Sequence, residues 1–359
     1  MRQLISVLVI LVSSTCFSQN NDIDTSNYRY YRFRIKTQTA LIASDPKNSS
    51  AYITRAYLKE QMHDFNGAIQ DWTTVIELSP TDYMAIASRA VSKFYNSDFD
   101  GVIEDCNKAL AINPEFHDAY FSRAKAKSEK GNYLEAIKDY QKSIELVPND
   151  IASYYGIAQS YNELRNYEQS LKSFEKVIAM DTTDLDLYVK CLMGKGYAKN
   201  DLKDYYGAIQ DFEHVLRLNP YSAKAVNNIG SSYYGLKNYK EALKYMNRAL
   251  EMNPQYAKAY NKRGDTKIAL KDYKGGIDDL TKSISLDPTD PQSFLLRGQG
   301  KYALEDYSGA IEDLTKAIEI YPEFYDAIYQ RAIVYEAIKN FEKAGIDYKR
   351  AELIKSSVR

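Results

Sequence analysis

Apolar and small residues recur along this chain at helical spacing, in blocks that themselves recur every 34 residues. The clearest block runs from Pro291 to Phe324. Within it Phe294, Leu295, Gly298 and Tyr302 fall on one face of a helical wheel and predict a first helix. Ala310, Leu314 and Ala317 line one face of a second helix, and Pro322 stops it because proline has no backbone N–H to continue the ladder. Between the two stands Asp306, placed as an N-cap whose carboxylate accepts backbone N–H bonds from the following turn.

Other stretches laid beneath this block fall into columns. The Pro322 column holds Pro80, Pro114, Pro148, Pro220, Pro254 and Pro288, with Thr182 and Ser356 in the remaining copies. The Gly298 column holds only Ala56, Ala90, Ala124, Ala158, Gly196, Gly230, Gly264 and Ala332, so two helices can approach closely there. The Asp306–Tyr307 pair returns as Asp or Asn followed by Phe or Tyr in every copy, from Asp64–Phe65 to Asn340–Phe341. Three copies add Glu or Gln three residues after the cap (Asn132/Glu135, Asn166/Gln169, Asn238/Glu241), which predicts capping boxes. Nine copies at a fixed period predict a solenoid. Gly298, Ala310, Ala317 and Pro322 match the small–small–aromatic–small–proline pattern of the tetratricopeptide repeat, with Leu314 standing at its aromatic position, and over residues 49–358 the chain resembles that family. The resemblance implies an all-α fold, a right-handed superhelical solenoid of stacked helix–turn–helix hairpins whose concave face binds extended peptides.

The repeats are expected at 49–82, 83–116, 117–150, 151–184, 185–222, 223–256, 257–290, 291–324 and 325–358. Four extra residues between Thr182 and Gly196 equal about one helical turn, so the first helix of the fifth repeat can lengthen without rotating its packing face. Residues 19–48 lie ahead of the array. Asn20–Asn27 is polar, and Tyr28–Ser44 resembles a lone second helix that would cap the first repeat. Residues 1–18 form a different kind of segment: Arg2, an apolar run from Leu4 to Val12, then small and polar residues to Ser18. That is the pattern of a secretory signal peptide cleaved after Ser18, too short to span a bilayer. The expected mature chain is therefore exported, to a periplasmic, outer-envelope or secreted location, with no integral membrane span. A lipidated Cys16, which would tether the protein to a membrane as an assembly factor, is the weaker alternative, because Leu11 lies far upstream and Thr15 is bulky. At the other end Lys343, Lys349, Arg350 and Lys355 suit a last helix that faces solvent.

Composition narrows the chemistry. A formal charge of −1 gives no basic excess for nucleic acid. The 33 tyrosines fall mostly in repeat columns and read as core. Cys106 and Cys191 lie three repeats apart and behave as small hydrophobes rather than a disulfide or metal pair. His63, His117 and His214 occupy three different columns and sit in no catalytic motif, and Gly275–Gly276 forms no phosphate loop. The sequence offers no catalytic, cofactor or metal site, and an enzyme whose site the repeats hide is the remote alternative.

Two sets of polar columns remain. Arg55, Arg89, Arg123, Arg263, Arg297 and Arg331 share a first-helix column, and each copy carries an acid on its second helix: Asp71, Asp105, Asp139, Asp279, Asp313 and Asp347. Lys195 keeps the rule with Asp211, whereas the copies with Ile157 and Ile229 show Ser173 and Tyr245. Lys59, Lys93, Lys127, Lys199, Lys267 and Lys301 lie one turn along the same face. Such a column reads either as a basic ladder for an anionic polymer or as ion pairs within each repeat, and the coupled exchange favours the pairs. The inward face of the first helices changes character along the chain. It offers Met84, Val91, Phe94, Phe121 and Tyr155 early, then Lys190, Lys224 and Lys258 in one column with Asn227, Asn228, Asn261 and Lys262 beside them. Asn228, Lys258 and Lys262 match three positions with which co-chaperones of the resembled family clamp a C-terminal carboxylate; two others hold Met193 and Tyr197. The resemblance thus implies a protein or peptide partner, acidic or C-terminal, with apolar residues at one end.

Overall fold

A computed structural model describes residues 25–180 and 183–357. The leader, with Cys16, and Thr182 lie outside them. Among the described residues the regular structure is nineteen helices. They are α1 (Thr25–Ser44), α2 (Ser49–Gln61), α3 (Phe65–Leu78), α4 (Tyr83–Tyr95), α5 (Phe99–Ile112), α6 (His117–Glu129), α7 (Tyr133–Leu146), α8 (Ile151–Glu163), α9 (Tyr167–Met180), α10 (Leu185–Asp201), α11 (Tyr205–Leu218), α12 (Ala223–Gly235), α13 (Tyr239–Met252), α14 (Ala257–Ala269), α15 (Tyr273–Leu286), α16 (Pro291–Ala303), α17 (Tyr307–Ile320), α18 (Tyr325–Ala337) and α19 (Phe341–Ser357). The chain forms two units, Met1–Ser160 and Tyr161–Arg359. In the first, α1 packs on α2, and the hairpins α2–α3, α4–α5 and α6–α7 stack in order. In the second, α9 packs on α10, and the hairpins α10–α11, α12–α13, α14–α15, α16–α17 and α18–α19 stack likewise. The four extra residues are taken up in α10, which has 17 residues against 13 in α12.

The turn inside each hairpin explains two sequence columns. Asp64 N–H donates to Lys59 O and His63 N–H to Glu60 O, the paired bonds of a Schellman motif, while the Asp64 side chain accepts from Gly67 N–H at 2.9 Å. One residue therefore closes α2 and opens α3. The residue before the cap is left-handed throughout: His63, Ser97, Gly131, Arg165, Lys203, Lys237, Lys271, Glu305 and Lys339 all have positive φ. Because the N–H of each cap is already bonded to the preceding helix, as in Asn132 to Lys127 O at 2.8 Å, the expected capping boxes do not close. Asn132 makes no side-chain cap bond at all, and Glu135 turns to Lys138 instead. Asp caps go with glycine three residues on, at Gly67, Gly101, Gly207, Gly275 and Gly309, since a Cβ there would overlap the carboxylate. Asn caps take a side chain in that place.

A second recurrent contact ties the helices together. Arg297 Nη2 lies 2.7 Å from Asp313 Oδ1 and its Nε 2.9 Å from Oδ2, a two-pronged pair between α16 and α17. Arg55–Asp71, Arg89–Asp105, Arg123–Asp139, Arg263–Asp279 and Arg331–Asp347 repeat this geometry. Lys301 Nζ sits 2.9 Å from the same Asp313, and Lys59, Lys93, Lys127 and Lys267 do the same in their own hairpins. The third guanidinium nitrogen reaches backwards: Arg297 Nη1 donates to Thr281 of the preceding second helix, Arg123 to Asn107, and Arg55 to Thr39 on α1. Lys195 departs from the expected pairing with Asp211. Its Nζ lies 3.7 Å from Glu175 of the preceding α9, while Lys199 takes Asp211 at 2.6 Å. An acid stands where other copies have Thr or Asn, and it draws the lysine back.

Cys106 and Cys191 are free and buried, and burial pushes both thiols up to about 12, out of the reactive range. On α19 Lys343, Lys349 and Lys355 are exposed, but so are Phe341, Ile346 and Leu353, while Arg350 donates to Pro322 O.

Two outcomes follow from this packing. A Cβ at Gly298 would stand 3.0 Å from Leu314 Cγ and 3.3 Å from Ala310 O, so Gly298→Ala is tolerated, as Ala is in this column elsewhere. Gly298→Leu overpacks the contact and costs about 1–3 kcal/mol in urea unfolding; an unchanged midpoint would mean that α16 and α17 are not held this closely. For the ion pairs, Asp313→Ala strands two cations and costs about 3–5 kcal/mol. Arg297→Ala costs less, because Lys301 still answers the acid. The double-mutant cycle gives a coupling of about 0.5–3 kcal/mol, and strict additivity would show that the two side chains do not meet.

Candidate functional site

Successive first helices touch within each unit: α4 with α6 in the first, and α10, α12, α14, α16 and α18 each with the next in the second. The first helices are where the sequence places the candidate ligand-contacting columns.

In the first unit this face is apolar and aromatic. Met84, Val91, Phe94, Phe121 and Tyr155 are half-buried on it. Phe94 is held edge-on by Phe99 at 5.5 Å and by Tyr95 at 5.9 Å, and Phe121 packs against buried Tyr140 at 5.9 Å. Two charged side chains that sequence reasoning missed belong here. Lys125 lies against the rings of Phe94 and Phe121. Glu60 accepts hydrogen bonds from Trp72 Nε1 at 3.0 Å and Ser92 Oγ at 2.5 Å, bridging α2 to α3 and α4; burial raises its carboxyl pKa. Lys125 was detectable as a lysine outside the paired Arg and Lys columns, in a column that elsewhere holds Tyr57, Val91 and Ser231.

In the second unit the face is amide and lysine. Tyr197 on α10 is its centre: its hydroxyl accepts from Asn228 Nδ2 at 3.0 Å, and Lys224 Nζ stands 5.7 Å from its ring centroid. Lys224 and Lys258 are exposed and form no ion pair among the described residues. Lys262 is half-buried near Asp265, whose carboxyl is pushed up by burial against the opposing pull of Lys262 and the Tyr234 hydroxyl. Lys190 is engaged one turn back with Asp186 at 2.6 Å, so its charge is already matched. Asn227 and Asn261 are not on the ligand face. Both are buried, and Asn261 Nδ2 donates to Ser293 Oγ at 2.8 Å and Asp290 Oδ2 at 3.1 Å, joining α14 to the start of α16. Asn261 thus turns towards the next hairpin, although Lys258 three residues before it is exposed.

No group of three His, Cys, Asp or Glu among the described residues is placed to hold a metal ion, and no described helix is long and apolar enough to cross a membrane. His117 Nδ1 lies 3.6 Å from Asp118, and His214 packs edge-on against Tyr188.

Tetratricopeptide repeat family models match residues 106–138, 125–165, 151–184, 189–222, 223–256, 257–290 and 295–357, together more than half of the chain. No curated protein matches the sequence. Among solved structures, a tetratricopeptide repeat protein from Parabacteroides merdae is 19% identical with a TM-score of 0.60, over 73% of this chain and 98% of that one. The Cut9–Hcn1 hetero-tetramer of the APC/C aligns at 16% identity and a TM-score of 0.54, over 81% of this chain and 57% of that one. At these identities the two structures establish the fold alone. Repeat models along the chain, helix hairpins stacked within each unit and these neighbours lead to one conclusion: the chain belongs to the tetratricopeptide repeat family, whose repeats are protein–protein interaction scaffolds.

Proposed function

We propose that the protein is an exported, non-enzymatic scaffold that captures peptide segments of other proteins on the face of its first helices. The observation that carries this reading is the contrast between two sets of cations in the second unit. Arg263, Lys267, Arg297 and Lys301 are matched by buried aspartates, while Lys224, over the ring of Tyr197, and Lys258, in the field of Asp287, stand exposed and form no ion pair among the described residues. Lysines at protein surfaces answer acidic groups, and side-chain amides bond an extended backbone, so the fitting ligand is an acidic or C-terminal peptide segment. Export rests on the leader at Met1–Ser18.

The variant Lys224→Glu, Lys258→Glu, Lys262→Glu retains wild-type helicity and loses its partners in an affinity pull-down from the envelope fraction at physiological salt. Recovery of the same partners would remove this face as the binding surface. Intact mass of the envelope-associated protein should place Gln19 at the mature N-terminus; retention of Met1, or a lipid adduct on Cys16, would replace export of a free chain with membrane tethering.

A further inference from the structure

The first unit holds a cation that forms no ion pair among the described residues. Lys125 on α6 is half-buried, with Nζ 4.4 Å from the centroid of Phe94 and 5.8 Å from that of Phe121. Ring faces attract an ammonium electrostatically, but they leave its N–H donors without hydrogen-bond acceptors. The acid that acts on it is Glu129, exposed one turn along α6, and no ion pair to Lys125 forms among the described residues. Two residues away on the same helix the outcome is opposite: Lys127 Nζ lies 2.8 Å from Asp139. Glu60 lies on α2, a full hairpin beyond α4, and is held there by Trp72 and Ser92. Burial lowers the pKa of Lys125, as it does for a charge kept from water without a counter-charge. The cradle is also rigid, because Phe94 is fixed by Phe99 and Phe121 by Tyr140. A ligand therefore meets a preformed site and loses little freedom in the protein on binding.

We propose that Lys125, Phe94 and Phe121 form an anchor for a carboxylate side chain of a bound peptide, an Asp or Glu flanked by apolar residues. The carboxylate supplies the missing acceptor for the ammonium. The apolar flanks cover the rings together with Met84 and Val91, which share a face of α4 with Phe94. The anchor rests on the reading of first-helix faces as binding surfaces, but it lies in the first unit and uses none of the lysines of the second.

The test is an array of N-acetylated, C-amidated peptides, each with one central Glu among Leu, Ile, Met and Phe, read by fluorescence anisotropy against the mature chain. The tightest binder is compared with its Gln analogue and with a Gln analogue that has a free C-terminal carboxylate. Exchange of Glu for Gln in the peptide weakens binding about tenfold or more. Lys125→Met removes that discrimination while leaving the thermal midpoint unchanged or higher, and Lys125→Arg restores it. The variant with Lys224, Lys258 and Lys262 reversed to Glu keeps it, so failure of this anchor and failure of the second-unit surface give different results. Should Lys125→Met not fold, Lys125→Gln serves the same comparison. Equal affinity for the Glu and Gln peptides, unchanged discrimination in the Lys125 variants, preference for the free C-terminus, or an array without a binder would each overturn the proposal.

Discussion

Each aspartate of the recurrent clamp is nearly sealed from water: Asp313 is 2% exposed and Asp105 fully buried. A carboxylate in that position is stable only when its lone pairs are filled by charged donors; one arginine and one lysine from the first helix fill them at Asp313 and Asp105, and Arg331 alone does so at Asp347. The arginine does more than neutralise. Its remaining nitrogen bonds a Thr or Asn on the second helix before it, so one planar side chain fixes three helices at once, sixteen residues forward and sixteen back. Thr39 on α1 takes the same bond from Arg55, which makes α1 stand as a second helix to the first hairpin. Lysine in place of the arginine lacks the fork, and at Lys195 the arrangement changes to a single contact with Glu175.

The clamp also decides what the surface is for. A column of arginines with a column of lysines beside it resembles a track for a polyanion until the aspartates are placed. Once they are, the arginines are used inside the hairpins, and few first-helix cations are left outside such pairs among the described residues. Where the clamp is absent the whole set is exchanged. Ile229, Tyr233 and Tyr245 replace Arg, Lys and Asp, with the two tyrosine rings stacked at 5.4 Å, and Ile157, Tyr161 and Ser173 occupy the same columns two repeats earlier. Replacement of a buried ion pair by packed apolar groups is physically reasonable, since desolvation of the charges offsets much of their attraction.

The hairpins were legible in the sequence because one period of 34 residues carries the cap, the small residues and the proline together. The Arg–Asp pairing was legible too, through copies in which both partners vanish. The lysine as third member was less visible, although Tyr161, Tyr233 and Tyr335 mark the copies without it. Other features needed coordinates. Asn132 has the spacing of a capping box, but spacing does not reveal that its N–H already serves the preceding helix. Asn261 has the column of a groove residue, yet Ser293, in the first turn of α16, draws it into a buried network with Ser283. Lys125 has no motif at all; its meaning lies in the rings around it and in the acid that is missing. Site residues are harder to read than the fold because a period specifies a face, whereas a site depends on which neighbours fail to complete it.

The central claim is that ligands are held on the first-helix face while the second helices and their clamps maintain the scaffold. A photo-crosslinking amino acid placed on each face of the folded protein tests it directly. At Val91 and Ser231, on the first helices, it should crosslink to bound partner in the native cell; at Glu104 and Glu251, exposed on second helices, it should not. Crosslinks confined to the second-helix positions would contradict the account.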